Sequence, residues 1–384
     1  VTKNFYLDYV KIFKNFENYI SKNYSLKSEN LRLFTQTLFN RIMFIRFLEK
    51  KNWLSFNGSK KYLNTLFKNG NYKNSSFYKG RLTQLFFLGL GKKGFQENEA
   101  YGNVCFLNGG LFEKNFLDTK VKDLPNFLFN DIFNDDGLFY RYNFTVEEST
   151  PLDIQVSVDP EMLGKVFEEL TTSRNESGAF YTKREIVSFM CRESLKKYFK
   201  VENFLNLENV KQSEIKKIIY NISDLKILDP ACGSGAYIVG MLDEIYKVYD
   251  YLIEKKYIKN KISKYQIKKK IIENNIYGVD IDESAVQIAR LRLWLSLIID
   301  YKGSKPEPLP NLDLKIETGD SLLTQNVKIE FSGLFASQAI EELKYLKDKF
   351  QNSFDKTEKE IFLNKINKIK NDLKENYDNK KDNF

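Results

Sequence analysis

Hydrophobic positions near the N-terminus recur at helical spacing. Leu31, Phe34, Leu38, Ile42, Ile45 and Leu48 fall three or four residues apart, the period of a buried helical face, and residues 1–55 as a whole read as helices. Over 56–150 the period is lost. Aromatic residues alternate there with Gly, Asn, Lys and Asp, which predicts short elements and long connections. A helical pattern returns at 159–170 (DPEMLGKVFEEL), where an Asp-Pro entry precedes Met162, Leu163, Val166, Phe167 and Leu170 on one face. After a polar loop, Thr182 and Glu185 give the T-x-x-E spacing of a capping box. They open a helix whose expected apolar side is Ile186, Val187, Phe189, Met190 and Leu195.

Three short apolar runs follow, each ending in a carboxylate. Ile227 and Leu228 predict a buried parallel strand ending at Asp229, then a turn over 230–235 and a helix from near Tyr237 through Ile238, Val239, Met241, Leu242, Ile245 and Tyr246. The run 276–279 ends at Asp280. It leads to an almost wholly apolar helix (Ala285 to Ile298) with Ser284 and Gln287 as a second capping-box pattern and Trp294 in the core. A proline-rich loop then leads to a third strand over 314–318, followed by Gly319, Asp320, Ser321 and Leu322. Strand, acidic tip and helix in repetition predict an α/β fold with a doubly wound, Rossmann-like parallel sheet that takes ligands at its carboxyl edge. Beyond 336 a lysine-rich helical pattern predicts a hairpin interrupted near 351–355.

Composition narrows the chemistry. The 384 residues are enough for two or three domains, and 42% hydrophobic content is enough for real cores. Net charge is +9, which favours a polyanionic partner, although the lysines clustered over 255–270 are read first as a solvated face. The chain has no histidine, so imidazole bases, His-activated nucleophiles and His metal ligands are excluded together. Cys105, Cys191 and Cys232 are too widely spaced for a disulfide framework or a zinc site; no metal is expected, and a reducing cytoplasm fits. Arg290 and Arg292 interrupt the longest apolar stretch, so no membrane span is expected, and no signal peptide opens the chain. The first residue is Val1, so a piece of a longer protein is expected.

The glycines at 233 and 235 let the backbone approach a ligand closely, and a carboxylate at the strand tip suits an ammonium or hydroxyl better than a phosphate. Asp280 is suited to ribose hydroxyls. It lies much farther on than the roughly 20 residues at which a dinucleotide fold places its acid, so NAD fits poorly. Asp320 can accept a hydrogen bond from an adenine amine. The structural alternatives are a turn without a ligand, an Asp280 that only caps the next helix, and a Thr182 that only caps its own. FLNGGLFE (106–113) and NFTVEE (143–148) offer no derivable chemistry beyond a turn at Asn108, Gly109 and Gly110.

DPACGSG after an apolar run resembles motif I of the S-adenosylmethionine-dependent DNA adenine methyltransferases. GAFYT, DPACGSGAY, YGVDID and GDSLL follow one another in the order X, I, II, III of the gamma-class adenine-N6 enzymes. FLNGGLFE, NFTVEE and DPEMLGKVFEEL look like stretches of the large fused type IIG restriction–modification enzymes and related phage-defence methyltransferases. The resemblance implies a mainly helical connector over 1–158, an S-adenosyl-L-methionine-binding core over 159–335, and a lysine-rich hairpin over 336–384 inserted before motif IV. It implies that Phe180, Tyr181 and Thr182 meet the methionine carboxylate end. Asp229 with the backbone of Pro230, Ala231, Cys232, Gly233, Ser234 and Gly235 would hold the amino and sulfonium region. Asp280 would bind the ribose, Ile281 would lie on the adenine ring, and Asp320 with Ser321 would read the adenine edge.

Two departures from the family pattern matter. Lys183 stands where the family often has proline, which loosens the helix start without removing the site. The Asn/Asp-Pro-Pro-Tyr/Phe motif that holds a flipped adenine and frees its amine for attack is missing, because the chain contains no Pro-Pro pair. No catalytic residue is therefore assigned. The expectation is a portion of a site-specific DNA methyltransferase that holds its cofactor and does not methylate alone, with double-stranded DNA contacted partly by regions outside 1–384. Methylation of RNA or of protein glutamine is a rival, disfavoured by the long helical N-terminus and FLNGGLFE. A non-catalytic cofactor-sensing or DNA-binding module of a phage-defence complex is another.

Overall fold

The computed structural model describes residues 2–70, 72–107, 110–144, 157–158, 182–201, 211–258, 262–304, 306–322, 334–353 and 356–381. The helix expected over 159–170, the pair Phe180 and Tyr181, and NFTVEE beyond Phe144 lie outside the described residues. The chain divides into two units, Val1–Ser321 and Leu322–Phe384.

The N-terminal stripe forms as expected. Helix α1 (Thr2–Asn23) buries Phe5, Tyr9, Ile12, Phe13, Phe16 and Ile20. Helix α2 (Ser28–Lys50) buries Phe34, Leu38, Ile42, Ile45 and Leu48, and every residue from Phe34 to Glu49 is buried. A helix hidden all round lies inside the protein, so its polar groups need partners. Arg41 finds the most. It donates to the carbonyls of Leu111 and Glu113 at 2.7 and 2.9 Å and grips both oxygens of Asp118 at 2.7 and 3.0 Å. Over 56–144 the elements are short, as the sequence predicts, and edge-to-face Phe contacts fill the space between them.

The sheet is built from β1 (Ile227–Asp229), β2 (Ile276–Asp280) and β3 (Ile316–Thr318), parallel and in that spatial order. Around it stand α3 (Arg184–Phe199), α4 (Gln212–Asp224), α5 (Ala236–Glu254), α6 (Lys264–Asn274) and α7 (Glu283–Asp300). Consecutive strands are neighbours and parallel, so each connection crosses over to the adjacent strand. Among the described residues β1 is an edge strand. Leu228, expected inside, is accordingly 61% exposed.

Helix α7 lies between the sheet and α2, and Trp294 within it is buried as expected, its Nε1–H donating to Pro310 O at 2.9 Å. The two helices run in parallel. Thr37 Oγ1, midway along α2, donates to Gln287 Oε1 in the early part of α7 at 2.8 Å, and Lys51 Nζ donates to Ile299 O and Tyr301 O at 2.7 and 3.2 Å at their ends. The lysine sits where free carbonyls and the helix dipole favour a cation. One continuous core, from Phe5 to Ile316, unites the helical region and the sheet.

Four local features differ from the sequence-based expectation. Thr182 and Glu185 form no capping box: the N-cap of α3 is Lys183, with no side-chain cap bond. Helix α7 is capped by Asp282, which accepts from Ser284 N–H at 2.8 Å, and Gln287 faces Thr37 instead. The buried side of α3 is Val187, Cys191 and Leu195, while Ile186, Phe189 and Met190 are exposed. Both stripes are apolar, and Gly240 on α5 decides between them. A Cβ there would collide with Val187 Cγ1, so the missing side chain lets the helices close on that line. The lysine-rich run is also not uniformly solvated: Lys268 is 4% exposed and pairs with Asp300 and Asp243 at 2.9 and 3.3 Å.

The second unit is a helical hairpin of α8 (Leu334–Asn352) and α9 (Lys356–Lys381), broken where the sequence predicts. Among the described residues Leu346, Phe350 and Ile366 are buried in it, and Ser353 Oγ donates to Glu358 Oε2 at 2.9 Å in the connection. Among the described residues no helix is long and apolar enough to cross a membrane.

Candidate functional site

The three strand tips lie at one edge of the sheet, and a circuit of hydrogen bonds joins them. In the turn after β1, Cys232 N–H donates to Val279 O at 2.9 Å and Gly233 N–H donates to Asp280 Oδ2 at 2.7 Å, tying the first tip to the second. Asp280 Oδ1 accepts from Asp282 N–H at 3.0 Å, and its backbone oxygen accepts from Gly319 N–H at 2.9 Å, tying the second tip to the third. Ser321 Oγ donates to Pro230 O at 2.6 Å and closes the ring. Asp229, Asp280, Asp320 and the turn 230–235, all chosen from sequence, are thus brought together. Asp280 is not the cap of the next helix, a task that falls to Asp282. The Asp280 carboxylate organises the glycine turn, and two bonded oxygens leave lone pairs over.

The glycines are used for two reasons. Gly235 has φ +88°, and a Cβ on it would lie 2.9 Å from Ala289 Cβ, so the turn sits directly on α7. Gly233 has φ +51°, and a Cβ there would meet nothing within 4 Å, so its outer side is open. Gly235→Ala combines a left-handed backbone with overpacking and is expected to cost about 2–4 kcal/mol in denaturant unfolding.

Asp229 is the electrostatically unusual member. Its Oδ1 accepts from Ala231 N–H at 3.2 Å, whereas Oδ2 is buried without a hydrogen-bond partner. Burial raises its carboxyl above the ordinary range and the charge of Asp280 raises it further, against the Ala231 N–H, which lowers it. A raised folded-state value means that ionisation disfavours the folded state as pH rises from the unfolded value through the folded one. Asp229→Asn should therefore stabilise the ligand-free chain at neutral pH and flatten that slope, read as melting temperature against pH. Burial pushes the thiols of Cys191 and Cys232 up to about 12, so both stay protonated and unreactive at neutral pH.

This donor set fits S-adenosyl-L-methionine. A buried carboxylate oxygen without a partner calls for a cation or an N–H donor, the open side of Gly233 admits close approach, and carboxylates at successive tips repel phosphate. Pro230, Ala231, Ile281, Asp320 and Ser321 are exposed along this edge, and Thr182 lies half-buried before α3. Cys232, Ser234 and Gly235 are buried under the turn.

The supports beneath the tips are what sequence reasoning missed. Arg292 Nη1, buried, donates to Ser234 O at 3.0 Å. Arg290 donates through Nε and Nη2 to Ile316 O at 2.8 and 2.5 Å and through Nη1 to Asp313 Oδ1 at 2.9 Å. The signal was available: two arginines in an otherwise apolar helix must find acceptors.

Comparison with known proteins bears on the same region. Residues 205–308 match the family model described as MmeI, DNA-methyltransferase domain, and residues 274–384 match that of the Eco57I restriction-modification methylase. The chain is 31% identical over 340 residues to the putative type II restriction enzyme and methyltransferase RM.MjaORFECS2P of Methanocaldococcus jannaschii, covering 76% of this chain and 27% of that protein. It is 23% identical over 235 residues to DNA methyltransferase A of Bacillus subtilis, covering 56% of this chain and 25% of that protein. The chain thus spans about a quarter of the length of these curated relatives. Its fold is similar to that of the type IIL restriction-modification enzyme MmeI, solved in complex with DNA. The TM-score is 0.50 and the identity 16%, with 86% of this chain and 41% of the other covered.

Proposed function

We propose that this chain is the S-adenosyl-L-methionine-binding portion of a site-specific DNA adenine-N6 methyltransferase of a restriction–modification system, of the fused type IIG kind and cytoplasmic. The observation that carries the proposal is the ring of hydrogen bonds that joins three acidic strand tips, one of which, Asp229, has a buried oxygen without a hydrogen-bond partner. The matches to two restriction–modification methylase models support it. The sheet here is the first part of a doubly wound methyltransferase sheet, with 1–158 as connector, 159–335 as cofactor core and 336–384 as an inserted hairpin.

When bound, the cofactor supplies an electrophilic methyl group. The protein's own part is to hold and orient it. Asp229 and the 230–235 backbone take the ammonium and sulfonium end, Asp280 the ribose, Ile281 the adenine face, and Asp320 with Ser321 the adenine edge. Phe180, Tyr181 and Thr182 take the carboxylate end. The chain lacks a Pro-Pro pair, so no residue in it is assigned to the target base, and duplex DNA is engaged in part by regions outside 1–384.

Calorimetry with S-adenosyl-L-methionine tests the reading. One molecule should bind per chain, and a duplex-DNA methylation assay with the same preparation should give no product. A saturating titration with no heat and no protection from unfolding would refute the cofactor site, and methyl transfer by the chain alone would refute its incompleteness. Any affinity for duplex DNA should weaken as salt rises.

A further inference from the structure

The described residues of FLNGGLFE, 106–107 and 110–113, contribute no group to the three tips, yet they are wedged between the helical region and the loop that launches β3. On one side Arg41 holds the carbonyls of Leu111 and Glu113. On the other, Leu107 O accepts from Leu309 N–H at 2.7 Å, and Gly110 stands against the carboxylate of Asp313. A Cβ on Gly110 would lie 2.8 Å from Asp313 Oδ1 and 3.1 Å from Oδ2. That carboxylate is held by Arg290 Nη1, and the same guanidinium holds the oxygen of Ile316, the first residue of β3.

We infer that residues 110–113, the end of FLNGGLFE, are a positioning element for the adenine end of the cofactor pocket, with Gly110 the residue through which they act; this rests on the cofactor reading above. The path is short and stiff. Gly110 leaves room for Asp313, Asp313 orients Arg290, Arg290 fixes the start of β3, and β3 is only 3 residues long before the Gly319 turn and Asp320. A strand of that length cannot absorb a displacement at its start. Gly110 does not have a left-handed φ, so alanine fits its backbone and changes only the space beside Asp313.

The test compares S-adenosyl-L-homocysteine with S-inosyl-L-homocysteine, which carries an oxygen in place of the adenine amine, by calorimetry on the full chain. The ratio of the two dissociation constants does not depend on the fraction of folded protein, so a merely structural role would leave it unmoved. Wild type should prefer the amine, and Gly110→Ala should reduce that preference roughly threefold to tenfold, the scale expected for sub-ångström misplacement. Gly110→Ala combined with Asp313→Ser should restore it, because serine vacates the space and still offers Arg290 an acceptor.

Should Gly110→Ala not fold, Arg290→Lys reads the same ratio through loss of the paired bonds to Ile316 O. An unchanged ratio in a variant that still binds would overturn the inference and leave the cofactor site standing. No binding by wild type would overturn the cofactor site itself. Wild-type binding without an amine preference would overturn the role of Asp320 and this inference with it, and failure of Asp313→Ser to restore the ratio would overturn the steric route.

Discussion

Asp280→Ala is expected to lower affinity for S-adenosyl-L-methionine by about a hundredfold or more, equivalent to roughly 3 kcal/mol. The carboxylate has two tasks, and alanine ends both. Gly233 N–H and Asp282 N–H lose their acceptor, so the turn that shapes the pocket keeps its backbone bond from Cys232 N–H to Val279 O and is tied to β2 less firmly. A hydrogen bond to a charged group contributes about 1.5–3 kcal/mol, and water recovers part of that at this half-exposed position, so a stability loss of about 2 kcal/mol should accompany the lost affinity. Asp280→Asn separates the tasks. One amide oxygen can still accept from the backbone, so most of the stability should return while affinity stays low. Calorimetry and urea unfolding on the two variants read this directly, and full affinity in the alanine variant would remove Asp280 from the site.

The largest stability effect is expected at Arg41, far from the tips. Arg41→Ala should destabilise the chain by about 3–5 kcal/mol, because removing one member of a buried pair leaves the other charged and unpaired. Asp118 would lose its guanidinium partner and keep the bonds of its own capping box, in which Asn115 N–H donates to it at 2.9 Å. The carbonyls of Leu111 and Glu113 would lose their donors in the same step. Asp118→Asn is the milder companion, since an amide oxygen still accepts from Arg41. Denaturant midpoints should fall in the order wild type, Asp118→Asn, Arg41→Ala. Equal midpoints would show that the pair contributes nothing net.

The parts of this protein legible in its sequence are those set by short-range chemistry. An apolar run closed by an acid and a glycine turn needs only neighbouring residues to define it, and Asp229, Asp280 and the 230–235 turn stand where that pattern predicts. The long helices at both ends were legible for the same reason, since their period is local. What was not legible depends on distant partners. Thr37 meeting Gln287, or Gly110 meeting Asp313, leaves no trace in either segment alone. Helix α3 carries apolar residues on two sides, so its period could not choose between Met190 and Cys191. The missing side chain of Gly240, on another helix, made the choice. The capping boxes misled because T-x-x-E and S-x-x-Q are spacings, and a helix begins one or two residues away at little cost when another side chain caps it, as Asp282 does.

In the proposed site three carboxylate-tipped strands share one nucleoside ligand. A crystal of the chain grown with S-adenosyl-L-homocysteine tests it most directly. A single ligand is expected, bounded by Asp229, Asp280 and Asp320 at the carboxyl ends of the three strands. A ligand seated anywhere else on the molecule, with those three side chains bare, would contradict it.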